Sequence, residues 1–330
     1  MPRPHLTFAC ELDARRLGVL FADGSVIDQL RALDARVTMM VSDFSDERAG
    51  VVQRLNDAGV PVLAVPLFPE EEGYYFTVAN ASRAQARYEQ WEAWSREHVL
   101  RWDGIGLDIE PDAKLYEQIM KDPRRLPAML LSQLRDRQGA ARARASYARL
   151  VERIHRDGWL VENYQFPPIA DERAVGSTFL QRLLGLVDVR TDREVWMLYT
   201  SFARRIGPGI LWAYGPQAEA IAVGTTGGGP DIEGHPQMPA LSWDEFARDL
   251  RLAAHWTDQV YVHSLEGCVW QGFLERLRDF EWDPADAPKA AAAGVALRRL
   301  LRTLLWSTAH RRHLLLGALA AAMVWRPARG

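Results

Sequence analysis

The segment Asp103-Gly-Ile-Gly-Leu-Asp-Ile-Glu110 has the alternating pattern of a buried β-strand that ends in two acids. Successive side chains of a strand point to opposite faces, so Asp108 and Glu110 lie on the same face as the two glycines. The opposite face carries only apolar side chains, those of Ile105, Leu107 and Ile109. We expect the apolar face to pack against helices and the face with the acids to line the interior of a barrel.

Short apolar runs alternate with longer amphipathic stretches as far as about residue 282, which is typical of βα units and a parallel sheet. The predicted strands are Leu6–Asp13, Arg36–Asp43, Pro61–Pro69, Gly104–Asp112, Trp159–Pro167, Glu194–Ser201, Glu219–Thr225 and Gln259–Gly267. This α/β pattern predicts a single (β/α)8 barrel of the TIM type with a C-terminal helical tail. An open doubly wound sheet is the rival architecture, but the first βα turn lacks the glycine pattern of a dinucleotide site.

The composition of the chain changes near Asp283, where a Pro- and Asp-containing stretch leads into a tail rich in Ala, Leu and Arg. A barrel of this type needs about 250 residues, so one barrel and a tail account for the chain of 330 residues. We therefore predict a barrel over residues 1–282 and a helical tail over residues 283–330. The helices predicted within the barrel include Ser45–Ala58, Asn80–Val99, Pro127–Arg156 and Ser242–His255.

The tail has two interpretations. Leucines recur at helical spacing over residues 295–306 with arginines between them, and residues 313–325 form a continuous apolar run. This pattern is typical of an interfacial helix that would contact the inner face of a membrane through residues 295–325. The second interpretation is a helix packed on the barrel. The apolar run is short of the roughly 20 residues that a span needs, and no secretory leader is apparent, so we expect a cytoplasmic protein.

The overall charge and the cysteines exclude some classes of function. The formal net charge is -3, with 40 basic and 43 acidic residues spread along the chain, so no basic stripe suits a nucleic acid. Cys10 and Cys268 cannot form a disulfide framework, and no Cys/His spacing resembles a zinc site. We expect no nucleic-acid partner, no bound metal and no cofactor, and the oligomeric state stays open.

The two acids of the opening segment suit acid catalysis. Asp108 and Glu110 would lie about 7 Å apart along a strand, where each carboxyl raises the proton affinity of the other in a poorly hydrated cleft. Barrel enzymes keep their active sites at the carboxyl ends of the strands, which is where these acids fall. A protonated Glu beside an ionised Asp can protonate a glycosidic oxygen and stabilise positive charge on the sugar.

The same segment resembles the D-x-x-D-x-D-x-E signature at the fourth strand of family-18 glycoside hydrolases, the chitinase-like barrels. Asp103, Asp108 and Glu110 match the signature, whereas Gly106 stands where the family has Asp. The resemblance implies that Glu110 is the general acid and Asp108 its charge partner. Trp196-Met-Leu-Tyr199 is similar to the family's Met-x-Tyr, which implies that Tyr199 contacts the reacting sugar. Because of Gly106, we expect sugar chemistry that differs from that of the chitinases.

Two further acids are candidates for the same mouth. The eighth predicted strand ends at Glu266, and alternation places Val260, Val262, Ser264 and Glu266 on one face. Glu11 ends the first strand, which neighbours the eighth when a barrel closes. Glu266 is therefore a candidate base or nucleophile, with the start of the next helix as its alternative role, and Glu11 is a candidate for substrate binding. We expect His263 to point outward or to lie behind the site.

Several other side chains could contact a sugar. Tyr75, after the third strand, and Trp212, after the sixth, are candidates for stacking on sugar rings. Tyr164 and Gln165, at the end of the fifth strand, are candidates for binding hydroxyl groups, and Asp103 is added from the signature. The glycine-rich stretch over residues 224–230 lies where many barrels bind phosphate, or it is simply a loop over the mouth.

These patterns favour a glycoside hydrolase-like enzyme that acts on an oligosaccharide or glycoconjugate. One alternative is a metal-dependent barrel of the isomerase or phosphodiesterase type, in which Glu11, Asp108, Glu110 and Glu266 would bind a divalent cation. Another alternative is a glycan-binding barrel without catalytic activity, which Gly106 leaves open.

Overall fold

In the computed structural model, the described residues are 3–111, 132–229, 239–283 and 285–310. Eight parallel strands pair in chain order and close into a barrel, because β1 pairs with both β2 and β8. The strands are β1 His5–Cys10, β2 Arg36–Val41, β3 Val62–Pro66, β4 Gly104–Asp108, β5 Val161–Gln165, β6 Arg193–Met197, β7 Ala220–Gly224 and β8 Gln259–His263. The predicted (β/α)8 barrel is confirmed. The predicted strands begin at or near the observed ones but extend past their ends into the loops.

Helices follow the strands around the outside of the barrel. Within the described ranges they are α1 Ala14–Leu20, α2 Ser25–Ala32, α3 Asp46–Asp57, α4 Ala84–Glu97, α5 Arg137–Arg156, α6 Pro168–Val175, α7 Phe179–Leu184, α8 Gly207–Tyr214, α9 Trp243–Ala254, α10 Leu265–Trp270, α11 Phe273–Arg278 and α12 Ala291–Ala309. Ser45 and Ser242 cap α3 and α9 as the sequence predicts. Residues 127–131 of one predicted helix lie outside the described ranges.

The two faces of β4 point as the alternation predicts. Ile105 and Leu107 belong to the core between the barrel and its helices. Gly106 points into the barrel, where a Cβ atom would lie 2.6 Å from Cγ2 of Val65 and 3.2 Å from Cε2 of Tyr164. Such distances leave no room for a side chain, so this strand needs glycine at the position where the chitinase-like signature has Asp.

The predicted orientation of β8 is wrong by one residue. Val260 and Val262 belong to the outer core, whereas Tyr261 belongs to the cluster inside the barrel. The reason is a polar network that fills the amino-terminal end of the barrel and requires the tyrosine. Tyr261 donates a 2.6 Å hydrogen bond to Glu162, which also accepts hydrogen bonds from Arg36 (2.8 Å) and Arg193 (2.9 Å).

The C-terminal helix α12 packs on the barrel. Gly294 of α12 approaches α8 so closely that a Cβ atom on it would lie 2.0 Å from the carbonyl oxygen of Gly209. Arg298 and Arg302 both donate hydrogen bonds to the buried carboxylate of Asp171 in α6, at 2.9 Å and 2.8 Å. Two of the arginines that suggested an interfacial helix are thus paired with the barrel itself.

The outer side of α12 carries exposed apolar residues, Leu297, Leu300, Leu304 and Trp306. In the described part of the chain, no helix combines the length and the apolar character that crossing a membrane requires. Residues 311–325 of the predicted membrane-contacting stretch lie outside the described residues. Contact of this tail with a membrane stays a prediction.

Candidate active site

A cluster of acids and aromatic residues lies at the carboxyl-terminal end of the barrel. We call it the mouth cluster, and it consists of Glu11, Tyr75, Asp108, Glu110, Tyr199 and His263. Each member ends a strand or follows one directly, apart from Tyr75, which the loop after β3 contributes. This is the end of a (β/α)8 barrel at which catalytic groups are found.

Glu11 and His263 form the link between the first and last strands. Ala9 and His263 are register partners in the β1–β8 pairing, so the residue after β1 and the end of β8 are neighbours. His263 Nε2 lies 3.1 Å from Glu11 Oε2, and the hydroxyl of Tyr75 donates to Glu11 Oε1 at 3.2 Å. Glu11 is only 3% exposed, so both of its oxygens are held by neighbours rather than by water.

The sequence left two positions open for His263, outward or behind the site, and its contact with Glu11 shows that the outward one is wrong. It points inward because Tyr261, two residues earlier, faces the barrel interior. Burial by itself lowers the pKa of His263, but the hydrogen bond and the charge of Glu11 outweigh it and raise that pKa above the ordinary histidine value. The sequence does carry a signal for this orientation, because polar Tyr261 and His263 alternate with Val260 and Val262 along β8.

Asp108 is the deepest acid of the predicted pair. Asp108 is 7% exposed, and its Oδ1 atom is buried with no hydrogen-bond partner among the described residues. Burial and the charge of Glu11 raise the pKa of Asp108 to about 7, although the nearby His263 acts in the opposite direction. The carboxyl group can therefore gain or lose a proton near neutral pH.

Glu110 lies two residues further out and is partly exposed. Its backbone N–H donates a 2.8 Å hydrogen bond to the carbonyl of Phe76, which fixes the end of β4 against the loop that carries Tyr75. Burial of the carboxyl group, together with the charges of Asp108 and Glu11, raises the pKa of Glu110 well above its ordinary value. This carboxyl group therefore keeps its proton to a higher pH than an ordinary glutamic acid does.

Tyr199 follows β6 and completes the cluster on the opposite wall. Its ring lies 5.7 Å from that of His263 and 5.9 Å from that of Phe202, measured between centroids. Burial and the charges of Asp108 and Glu110 raise the pKa of Tyr199, so its hydroxyl stays protonated. The structure brings Tyr199 to the acids, as the sequence predicts.

Glu266 lies at the start of the next helix, the alternative that the sequence left open, and not at the end of β8. β8 ends at His263, and Glu266 sits in the first turn of α10, completely buried. Its Oε1 atom accepts a 2.9 Å hydrogen bond from the backbone N–H of Gly229 in the glycine-rich segment. A Cβ atom on Gly228 would lie 2.3 Å from Cγ of Glu266, so this segment packs directly on the acid. Its role as base or nucleophile stays a prediction.

Other predicted contacts fall outside the cluster. Asp103 precedes β4 and forms an ion pair with Arg36 at 3.1 Å. It lies about 16 Å along the strand from Asp108, at the opposite end of the barrel, so its predicted place at the mouth is wrong. Trp212 is also corrected: it lies on α8, and its ring packs 4.9 Å from that of Trp256, between helices.

The two candidates on β5 are consecutive residues of the strand, and Tyr164 is the one that lies in the cluster inside the barrel. The hydroxyl of Tyr164 donates a 3.4 Å hydrogen bond to Thr38, and the ring stands beside Gly106. Gln165 is buried at the end of β5, nearer the mouth. Contact of either side chain with a sugar stays a prediction.

The metal-dependent alternative has little support in the described residues. Among residues 3–111, 132–229, 239–283 and 285–310, no group of three or more His, Cys, Asp or Glu side chains is arranged to hold a metal ion. Both oxygens of Glu11 are instead occupied by His263 and Tyr75, whereas Glu266 accepts from Gly229 at Oε1 and has no partner among the described residues at Oε2.

A groove of about 580 Å³ lies elsewhere on the molecule. It runs between residues 78–82, α5 and α7, and its lining includes Ser82, Asp136, Arg142 and Arg149. None of the lining residues belongs to the mouth cluster. The chemistry of the described residues therefore centres on the barrel mouth rather than on this groove.

Fold and site together define a (β/α)8 barrel with a cluster of acidic and aromatic side chains at its carboxyl-terminal mouth. No protein-family model matches the chain, and no curated protein is similar to it in sequence. Similar solved structures include the PgaB (BpsB) glycoside hydrolase domain from Bordetella bronchiseptica, with a TM-score of 0.47 and 12% identity over 84% of this chain and 99% of that chain.

Two sugar epimerases are also similar in structure. D-allulose 3-epimerase from Methylomonas sp. has a TM-score of 0.41 and 11% identity over 90% of this chain and 98% of that chain. L-ribulose 3-epimerase has a TM-score of 0.39 and 13% identity over 100% of both chains. At such identities the likeness concerns the fold alone.

Proposed function

We propose that this protein is a carbohydrate-active enzyme that hydrolyses glycosidic bonds, with Glu110 as the general acid. The observation that carries the proposal is the state of Asp108 and Glu110. Both carboxyl groups have raised pKa values, and no described residue donates a hydrogen bond to either side chain. Acids with raised pKa values, one of which has an oxygen without a donor among the described residues, are suited to a ligand that brings its own donors.

The missing donors favour a polyhydroxyl ligand. A buried polar group without a hydrogen bond is costly, so buried carboxyl oxygens in native proteins normally have partners. The Oδ1 atom of Asp108 has none among the described residues. Sugar hydroxyl groups would satisfy it, and the rings of Tyr75 and Tyr199 provide apolar surface on which a sugar ring can stack.

The reaction follows from the two protonation states. Glu110 gives its proton to the glycosidic oxygen while the bond from that oxygen to the anomeric carbon breaks. Ionised Asp108 stabilises the positive charge that develops on the sugar ring, and the neutral hydroxyl of Tyr199 positions the substrate. A water oxygen then bonds to the anomeric carbon, and its proton passes to a carboxylate. Glu11 and Glu266 are the candidate acceptors.

The test is the release of reducing ends from a panel of glycans by the parent protein and by Glu110→Gln. We expect the parent to hydrolyse at least one glycan and Glu110→Gln to do so about 100-fold more slowly, which is the usual contribution of a general acid. Glu72→Gln is the matched control, because Glu72 lies on the loop that carries Tyr75 but is already paired with Arg83. A parental rate in Glu110→Gln would refute the role of this residue.

The non-catalytic alternative gives a different result in the same experiment. A barrel that only binds glycans would retain them in a pull-down or by calorimetry, yet release no reducing ends in either form. That outcome would replace hydrolysis by recognition as the function of the mouth cluster.

A further inference from the structure

The mouth cluster contains more acidic than basic side chains. Glu11, Asp108 and Glu110 contribute three carboxyl groups, and His263 is the basic side chain that contacts them. Within the described ranges no arginine or lysine side chain donates a hydrogen bond to any of these acids. Arg48, whose charge acts on the pKa of the neighbouring Tyr74, is fully buried and bound elsewhere.

Arg48 cannot serve the mouth because its guanidinium is fully occupied. It donates to the carbonyl oxygens of Met40 at 2.7 Å and Leu12 at 3.0 Å, and it forms an ion pair with Asp43. Its donors therefore hold the loops after β1 and β2 rather than a ligand.

The buried carboxyl group of Asp108 is a second, independent observation that points to a cationic ligand. It is more than nine-tenths buried, and its Oδ1 atom has no hydrogen-bond partner in the described part of the chain. An ionised carboxylate can accept several hydrogen bonds, so this oxygen has room for a donor from a ligand. Its neighbours Glu11 and Glu110 are acids, and the basic side chain that acts on it, His263, is hydrogen-bonded to Glu11. A carboxylate in such surroundings gains most from a ligand that carries both hydrogen-bond donors and a positive charge.

The aromatic side chains of the mouth suit the same kind of ligand. Tyr74 and Tyr75 form a perpendicular pair with centroids 4.9 Å apart, and Tyr199 stands on the other wall near His263. The faces of aromatic rings attract cations and also stack on the apolar faces of sugars.

We propose that the mouth cluster selects glycans that carry a free amino group, and that Asp108 binds the ammonium. This inference rests on the proposed function, because it names the substrate class of the same site. An N-acetyl group or a hydroxyl at that position keeps hydrogen-bond donors but loses the charge. A phosphate or carboxylate would add a further negative charge to three acids and is disfavoured.

The expected preference is large enough to measure. A charge-assisted hydrogen bond is worth more than a neutral one by an amount that corresponds to roughly tenfold in affinity. The ammonium also replaces the proton that Asp108 otherwise holds, so the preference should strengthen as the pH rises toward 7. The titratable groups that face Asp108 are Glu11, Tyr74, Tyr75, Glu110, Tyr199 and His263.

The experiment uses three β-1,4-linked hexasaccharides, of glucosamine, N-acetylglucosamine and glucose, and measures binding by calorimetry. Glu110→Gln is used so that turnover does not consume the ligands. We expect the glucosamine hexasaccharide to bind about tenfold more tightly than the other two. Adding Asp108→Asn should remove this difference, because asparagine carries no charge, whereas adding Glu72→Gln should preserve it.

Three outcomes would overturn the inference: equal or weaker binding of the glucosamine hexasaccharide, no binding of it at all, or a preference that survives Asp108→Asn. These outcomes are separable from a failure of the proposed hydrolysis. If the amine preference depends on Asp108 but the parent cleaves no glycan, the selectivity stands and the hydrolase fails. If the parent cleaves uncharged glycans through Glu110 without an amine preference, the hydrolase stands and the selectivity fails.

Discussion

Glu11 and His263 meet across the pair of strands that closes the barrel, with 3.1 Å between Oε2 and Nε2. The contact joins residues 252 positions apart in the chain, so it forms only when the first and last strands pair. It also sets the charge next to Asp108, because Glu11 raises and His263 lowers the pKa of that acid. The charge around Asp108 thus depends on a contact that forms only when the barrel closes.

The Glu11–His263 contact should make stability depend on pH. The pKa of His263 is higher in the folded protein than in the unfolded chain, where it is about 6.5. Its contribution is therefore fully present below about pH 6.5 and is lost as the pH rises through the folded-state value. We expect His263→Gln to lower the free energy of unfolding by about 1–2 kcal/mol at acidic pH and by less at alkaline pH. Urea unfolding at several pH values measures this, and a loss that grows toward alkaline pH would contradict it.

The coupled pair Asp108 and Glu110 should give a bell-shaped dependence of hydrolysis on pH. Activity should rise as Asp108 ionises, with its pKa at about 7, and fall where Glu110, whose pKa is also raised, loses its proton. We expect Asp108→Asn to lower kcat about 100-fold and to remove the rise on the acidic side while the fall at higher pH remains. Rates across the pH range decide this, and an unchanged acidic limb in Asp108→Asn would assign that limb to another group.

The alternation of side chains predicted much of this architecture because its period of two is a local property. The eight strands and the inward face of β4 follow from it directly. The orientation of β8 did not, because Val260 and Val262 alternate with Tyr261 and His263, and either set could face inward. The deciding partner of Tyr261 is Glu162 on β5, which lies 99 positions away in the chain.

The candidate site was predictable in part for the same reason. Asp108, Glu110 and Glu11 end strands whose direction is clear, so their convergence could be expected. The sequence placed Glu266 on the strand because it does not show where β8 ends. Only Ser264 separates the end of β8 at His263 from the start of α10 at Leu265. The proton affinity of each acid depends on burial and on neighbours that only the folded barrel brings together.

Gly106 should tolerate no side chain. A Cβ atom there would lie 2.6 Å from Val65 and 3.0 Å from Leu63, inside the packed barrel. We expect Gly106→Ala to lower the free energy of unfolding by about 1–3 kcal/mol, as overpacking does. Gly50→Ala is the matched control, because Gly50 lies in α3 with nothing within 4 Å of its Cβ position and alanine favours a helix. Denaturant midpoints of both variants test this, and a neutral Gly106→Ala would mean that the barrel interior can expand.

The docking of α12 should depend on the buried carboxylate of Asp171. It accepts hydrogen bonds from Arg298 and Arg302 of α12 and from Tyr214 of α8, and it is fully buried. Asp171→Asn leaves two guanidinium groups without their charge partner, and because Arg302 is partly exposed we expect a loss of about 2 kcal/mol in the free energy of unfolding.

Limited proteolysis identifies where that loss falls. If Asp171 holds α12 on the barrel, Asp171→Asn should be cleaved faster between α11 and α12 while the barrel itself resists the protease. Asp28→Asn is the control, because Asp28 forms an exposed pair with Arg31 that contributes little to stability. Equal cleavage of both variants in that connection would show that the glycine contact between α12 and α8, and not the buried ion pair, keeps the helix in place.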